Sequence, residues 1–293
     1  MLNLVCVQQF CAKREKIEDC SIDCVRCGRR RHSFWNDHVG DLLTHLCETR
    51  PRASEIVAIA HKAKAFDLHF TLNRATKHKC NPELITNDIK IKSMKMEHLV
   101  FLDSVSFLPC ALCKLPEACG LQTTKSWYLH YINTEENLDY IGPMSDISYY
   151  RVDEMSGGER EVFLVWYETR KSQLFHNKHV LEIYCQDDVM VLRQACRVFR
   201  REFLQIGNFE VFLQSLTIAS ACKKELRRKY LKSDTIALIP TGGYSCNNKY
   251  SNKAIMWLLQ MEQTNGVVIK HARYEREYRL PELPHFSVDG YCA

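Results

Sequence analysis

The order of apolar and polar positions separates strand-like runs from helical ones. Ile56-Val57-Ala58-Ile59-Ala60 and Leu99-Val100-Phe101-Leu102 are short unbroken apolar runs, the pattern of strands buried on both faces. Each leads into a carboxylate, Asp67 a few residues after the first and Asp103 directly after the second. Strands that deliver acidic groups at their C-terminal ends are typical of α/β enzymes. Residues 116–158 are rich in Tyr, Asn, Pro and Gly and read as loops and short elements, with turn signals at Ile141-Gly142-Pro143 and Ser156-Gly157-Gly158. Beyond them the period becomes helical. Val189, Leu192, Cys196, Phe199 and Phe203 form one apolar stripe, with Arg193, Arg197, Arg200 and Arg201 on the remaining surface. Phe209, Phe212, Leu213, Leu216, Ala219 and Cys222 repeat the pattern and predict a second helix. A third helix is predicted around Lys253 to Glu262, then a strand at Val267-Val268-Ile269 and a proline-punctuated tail.

With 293 residues, 46% of them hydrophobic and 26% charged, the chain has the composition of a globular protein with a substantial core. Disorder, collagen and coiled coil are excluded on that ground. No apolar run approaches the roughly 18 residues needed to cross a bilayer. The fifteen cysteines exceed ordinary usage but fall short of small disulfide scaffolds, at roughly 8–10%. An odd count, with no secretory leader at Met1-Leu2-Asn3-Leu4, predicts reduced thiols and an intracellular location. Nucleus and organelle stay open, with Arg29-Arg30-Arg31 a weak nuclear-entry signal. A net charge of +5 leans mildly toward an anionic partner.

Three local patterns carry candidate chemistry. Cys24 and Cys27 form a CxxC pair followed by Gly28 and basic residues, which resembles a zinc knuckle in which a tight turn aims two thiolates at one ion. Cys11 and Cys20 are the candidate remaining Zn²⁺ ligands, although their spacings fit no common finger; the alternative is a cysteine-rich loop with free thiols. The run Lys223-Lys224-Glu225-Leu226-Arg227-Arg228-Lys229 places five cations in seven residues. Some of that charge suits the negative end of a helix dipole, and Lys223, Lys224, Arg227 and Arg228 are candidate phosphate contacts. Finally, Tyr184 and Asp188 stand four apart at the predicted head of the first strong helix and so share a face. A tyrosine beside a carboxylate can hold a metal-bound water for attack on phosphate, while an ordinary helix N-terminus also favours Asp.

The succession His61-Lys62-Ala63-Lys64-Ala65-Phe66-Asp67, Phe101-Leu102-Asp103-Ser104, Leu115-Pro116, Tyr184-Cys185-Gln186-Asp187-Asp188 and Phe199-Arg200 resembles the 3′–5′ exonuclease region of the protein-primed family B DNA polymerases. These are organellar and viral enzymes, also found in linear plasmids and Maverick/Polinton-type mobile elements. The resemblance runs over nearly the whole chain and extends to Thr241-Gly242-Gly243-Tyr244 and Val288-Asp289-Gly290-Tyr291. It implies an α/β fold of the RNase H-like (DnaQ-type) exonuclease kind, a nucleotidyltransferase-family setting in DNA replication, and single-stranded DNA 3′ ends as partner. It also implies catalytic roles for Asp67, Tyr184 and Asp188, with Asp67 and Asp188 holding Mg²⁺ or Mn²⁺, and DNA contacts at Lys62, Phe66 and Leu112.

The chain departs from that pattern in several places. The family's Asp-x-Glu pair on its first strand has no counterpart, and Leu2 to Val7 resembles the strand that follows it. Lys62 stands where the family has Asn, Ala111 precedes Leu112 where Ser or Thr is usual, and Arg14 replaces one of an amino-terminal cysteine pair. The polymerase motifs DxxSLYP, KxxxNSxYG and DTD do not occur. The implied organisation is a cysteine-rich start over 1–50, an exonuclease-like domain over 51–207 that lacks its first strand, and a helical segment over 208–293 leading toward a polymerase domain. The expected function is that of a truncated or degenerate copy of a type B polymerase, binding DNA and impaired as a nuclease. The alternatives are a domesticated non-enzymatic nucleic-acid-binding or interaction protein, a working nuclease with Asp103 or Glu182 as substitute acids, and a zinc module on an unrelated α/β domain. Oligomeric state is not legible.

Overall fold

The computed structural model describes residues 3–11, 22–25, 28–48, 55–78, 80–123, 126–232, 251–273, 278–282 and 286–292. Two compact units divide the chain, one up to Tyr230 and one from Leu231. The first begins with an antiparallel ribbon, β1 (Val5–Gln8) against β2 (Arg31–Phe34), followed by helix α1 (His38–Glu48). β3 (Ile56–Ala60) then enters a four-stranded sheet of order β3-β6-β5-β4. Its neighbour β6 (Leu99–Asp103) runs parallel to it, and the long connection between them is what a parallel pair needs. That connection contains α2 (Asp67–Lys77) and the hairpin of β4 (Glu83–Asn87) with β5 (Lys90–Met96). The hairpin is turned by Asp88, whose φ of 53° is a left-handed value that Asp tolerates. β4 is exposed at every position, and its two apolar residues, Leu84 and Ile85, are too few to stand out as an apolar run.

Two cores flank the sheet. Leu46, Leu68, Met94 and Phe101 fill one side beneath α1 and α2. Leu102, Phe107, Val191, Ala195 and Phe199 fill the other, beneath α5 (Asn177–Gly207). Before α5 come α3 (Leu115–Ala118), β7 (Ile141–Gly142), α4 (Gly157–Arg170) and β8 (Phe175–His176). α4 buries Phe163 completely against Tyr150 and Trp127 while Val162 and Val165 face outward, so its apolar positions form no single stripe.

α5 is 31 residues long and starts two turns before Tyr184, which corrects the expectation that Tyr184 to Asp188 heads the helix. Asn177 explains the early start. Its buried amide accepts from Tyr128 Oη at 2.7 Å and donates to the Asn137 carbonyl at 2.7 Å. The helix stops at Asn208, in the left-handed conformation that Asn adopts readily. The single helix expected over 209–222 is instead a short turn, α6 (Val211–Gln214), and a separate helix, α7 (Ile218–Lys229). Thr217 and Ser220 form a capping box that starts α7 afresh. Phe209, Val211, Phe212 and Ala221 belong to the α5 core, so α6 and α7 are parts of the first unit.

As strands, β1 pairs only with β2, and β3 only with β6, among the described residues. Both strands line a cavity of about 620 Å³ that also reaches Leu102, Val189 and Leu192. In the second unit α8 (Asn252–Asn265) buries Ile255 and Leu258. Two small ribbons join it, β9 (Lys270–His271) with β12 (Gly290–Tyr291), and β10 (Tyr278–Arg279) with β11 (Ser287–Val288). Strand pairing begins at Lys270, so the strand expected at Val267-Val268-Ile269 is not formed. Gly290 lies so close to Leu258 that a Cβ there would sit 2.7 Å from its side chain. Thr241 to Tyr244 lies outside the described residues.

Candidate functional site

Ala60 and Asp103 are register partners at the C-terminal ends of β3 and β6, so the segments leaving both strands emerge side by side. Asp103 is fully buried. Its Oδ1 accepts from the Val105 amide at 2.9 Å, capping the 3₁₀ turn Ser104–Ser106, and its Oδ2 stands 3.7 Å from Lys64 Nζ. A buried carboxylate needs such partners to remain charged. His61 Nδ1 lies 2.9 Å from Ser104 Oγ and closes the same corner.

After His61 the backbone reverses at Lys62, with φ 62° and ψ 23°, makes the 3₁₀ turn Ala63–Ala65, and starts α2 at Asp67. Asp67 has an exposed surface, yet the surrounding protein displaces enough water to raise its carboxyl above the ordinary range. The charge of Asp103 adds to that rise, so the two acids are within electrostatic reach. Phe66, beside Asp67, is 62% exposed. Lys62 and Phe66 therefore stand on the open face of this corner, whereas Leu112 packs against the α5 core.

Tyr184 and Asp188 lie on successive turns of α5. Tyr184 is buried in an aromatic cluster, its ring 5.4 Å from those of Tyr128 and His130 and its Oη 3.3 Å from His130 Nε2. Asp188 is half-buried, and its charge disfavours a thiolate at Cys185 one turn earlier. No group of three or more His, Cys, Asp or Glu side chains converges on a point where an ion could bind, among the described residues. The acids that do approach one another are Asp67 and Asp103, and Asp103 is committed to Lys64 and Val105. This donor set does not fit a two-ion centre, which needs several carboxylates around ions roughly 4 Å apart.

Of the five cations in the basic run on α7, Lys229 pairs with Glu225 at 2.6 Å, and the other four divide into two pairs. Lys224 donates to Gln214 Oε1 at 2.5 Å and lies 5.4 Å from the centre of the Phe209 ring. Arg228 donates to the Gly207 carbonyl at 3.0 Å and covers the same ring at 5.8 Å. Those two cations pin α7 to the end of α5. Lys223 and Arg227, also four apart, are exposed. Of the four cysteines proposed for zinc, Cys20 and Cys27 lie outside the described residues. Cys24 is buried and exchanges backbone hydrogen bonds with Gly28, at 2.9 and 2.7 Å, and Gly28 has φ 75°. Cys11 is half-buried beside the 620 Å³ cavity.

Sequence reasoning missed a buried polar link between the β1–β2 ribbon and α5. Gln186 donates to the His32 carbonyl at 2.8 Å and Ser33 Oγ at 2.9 Å, and it accepts from Gln8 Nε2 at 3.1 Å. Arg193 Nε completes the link to Gln8 Oε1 at 3.1 Å. Gln186 sits inside the Tyr-Cys-Gln-Asp-Asp motif, and a polar side chain on a helix face between Tyr184 and Val189 was its one available signal.

Comparison with known proteins places the chain in a class. Residues 47–249 match the family of DNA polymerases of type B, organellar and viral, and the chain belongs to that family. A relative from Agaricus bitorquis, described as a probable DNA polymerase, is 28% identical over 189 residues. The alignment covers 61% of this chain and 23% of that relative, so the chain spans under a quarter of its length. No solved structure matches.

Proposed function

We propose that the first unit is an exonuclease-type, RNase H-like portion of a type B polymerase that binds single-stranded DNA and is impaired in metal-dependent hydrolysis. The corner of β3, β6 and α2 carries this reading. It offers Asp67, Lys62 and Phe66 on an open face, but its second carboxylate, Asp103, is consumed by Lys64 and the Val105 amide. The separation of β1 from β3 by a cavity supports an RNase H-like sheet with the place of one strand unfilled among the described residues. Mg²⁺ or Mn²⁺ would be the family's ions, but among the described residues the donors do not converge on one point. Zn²⁺ at Cys11, Cys20, Cys24 and Cys27 is a separate proposal that the Cys24–Gly28 backbone pairing favours; metal content of the purified protein tests it.

DNA is the partner that family membership implies, and exposed Lys223 and Arg227 supply cations of the type that contact phosphate. The test is to incubate the purified chain with 3′-labelled single-stranded DNA and Mg²⁺ or Mn²⁺, beside Asp188→Ala. Salt-sensitive binding without degradation is expected. Degradation that disappears in Asp188→Ala would replace the impaired reading with a working nuclease, and failure to bind would remove DNA as the partner of this unit.

A further inference from the structure

We propose that Cys6 and Cys185 are a redox-active dithiol that closes to an intramolecular disulfide on contact with a peroxide, tying β1 to α5. β1 is held against α5 beside them, where Gln8, two residues after Cys6, donates to the carbonyl of Gln186, next to Cys185, at 2.9 Å, and each thiol shifts the proton affinity of the other. Both belong to one apolar cluster with Leu4, Tyr128, Phe175 and Tyr184. Both also line the 620 Å³ cavity, which gives a small oxidant a path to them.

The surroundings assign the two sulfurs different roles. The neighbouring Cys185 thiol lowers the proton affinity of Cys6; Ser33 Oγ, 3.7 Å away, and Arg31 act in the same direction, while burial and Glu182 oppose them. Cys185 is pushed strongly up by the neighbouring Cys6, by burial and by the charge of Asp188, so it keeps its proton. Since the thiolate is the nucleophile, Cys6 reacts first and Cys185 resolves. By contrast Cys196, also in the cavity wall, is completely buried among apolar groups and its thiol is raised to about 12.

With hydrogen peroxide the Cys6 thiolate attacks one oxygen, the O–O bond breaks, and the hydroxide released takes up a proton to become water. The sulfenic acid left on Cys6 is then attacked by the Cys185 sulfur. The S–S bond forms, the S–O bond breaks, and the hydroxyl leaves as water with the Cys185 proton. Two thiols and one peroxide become one disulfide and two waters, and the two electrons lost by sulfur reduce the peroxide.

The experiment uses the full chain, reduced and then exposed to graded hydrogen peroxide, quenched with an alkylating agent and mapped by peptide mass spectrometry without reduction. The expected product is a peptide containing Cys6 joined to one containing Cys185, lighter than their sum by two hydrogens, formed before other pairs and reversed by dithiothreitol. Cys185→Ser is expected to slow alkylation of Cys6 at neutral pH severalfold and to let its sulfenic acid persist. The proposal is overturned if exposed thiols such as Cys80 and Cys222 oxidise while Cys6 and Cys185 stay separate, or if Cys6 pairs elsewhere. An unchanged Cys6 alkylation rate in folded Cys185→Ser would overturn the division of roles. The map of the unmodified chain decides the pairing even if a variant fails to fold.

Discussion

At the ends of β3 and β6 two carboxylates stand within electrostatic reach, and burial divides their roles: Asp103 becomes a structural cap and Asp67 keeps an open face. The residue that turns the chain between them, Lys62, occupies a left-handed conformation that costs most L-residues about 1–2 kcal/mol and is tolerated by Asn. Lys62→Asn is therefore expected to raise stability by a few tenths to about 1 kcal/mol, read as a higher urea midpoint with unchanged slope. A second residue-scale prediction concerns Tyr128, whose buried hydroxyl donates to Asn177 and whose pKa burial pushes up to about 12. The folded protein then holds this proton where the unfolded chain, titrating near 10, has lost it. The contribution to stability is present in full below about pH 10 and is lost as pH rises toward 12. Tyr128→Phe is expected to flatten the stability curve in that window. At neutral pH it should cost about 1–3 kcal/mol, because Asn177 Oδ1 loses its donor. Denaturant titrations of both proteins at pH 7 and pH 11 measure the two effects.

Among the elements, α5 and α7 differ in what sets their ends. α5 is extended backward by Asn177, whose partners come from residues 128 and 137, far outside any helical window. α7 is started by a local signal, the Thr217–Ser220 capping box, which breaks an apolar periodicity that otherwise runs on from Phe209 to Cys222. Removing the cap by Thr217→Ala is expected to cost about 1 kcal/mol in chemical denaturation. Because Ala221 packs in the α5 core, that loss should appear in the unfolding of the whole first unit. A fraying of α7 alone would show that the helix is not coupled to that core.

For the whole molecule, the proposal that single-stranded DNA is the partner turns on which cations of α7 are left exposed. Replacing Lys223 and Arg227 together with Gln is expected to weaken single-stranded DNA binding. It should also reduce the slope of log K against log salt by about 1.4, from about 0.7 per lost phosphate contact. Lys224→Gln should leave that slope unchanged, since Lys224 is held by Gln214 and Phe209. Binding titrations at several salt concentrations separate the two cases.

The sequence by itself determined β3, β6, the apolar stripe of α5 and the type B polymerase family, because unbroken apolar runs, helical periodicity and motif order are properties of neighbouring positions. It also brought out Asp67 and Asp103 as carboxylates at strand ends. What only the tertiary structure decided depends on partners distant in the chain. Lys64 and the Val105 amide bury Asp103 as a cap, Tyr128 and His130 enclose Tyr184, and Phe209 takes Lys224 and Arg228 out of the basic face. The same holds for the fifteen cysteines. Spacing drew attention to Cys24 and Cys27, while the packing of β1 on α5 brings Cys6 and Cys185 into one apolar cluster, a pair that no local pattern could reveal.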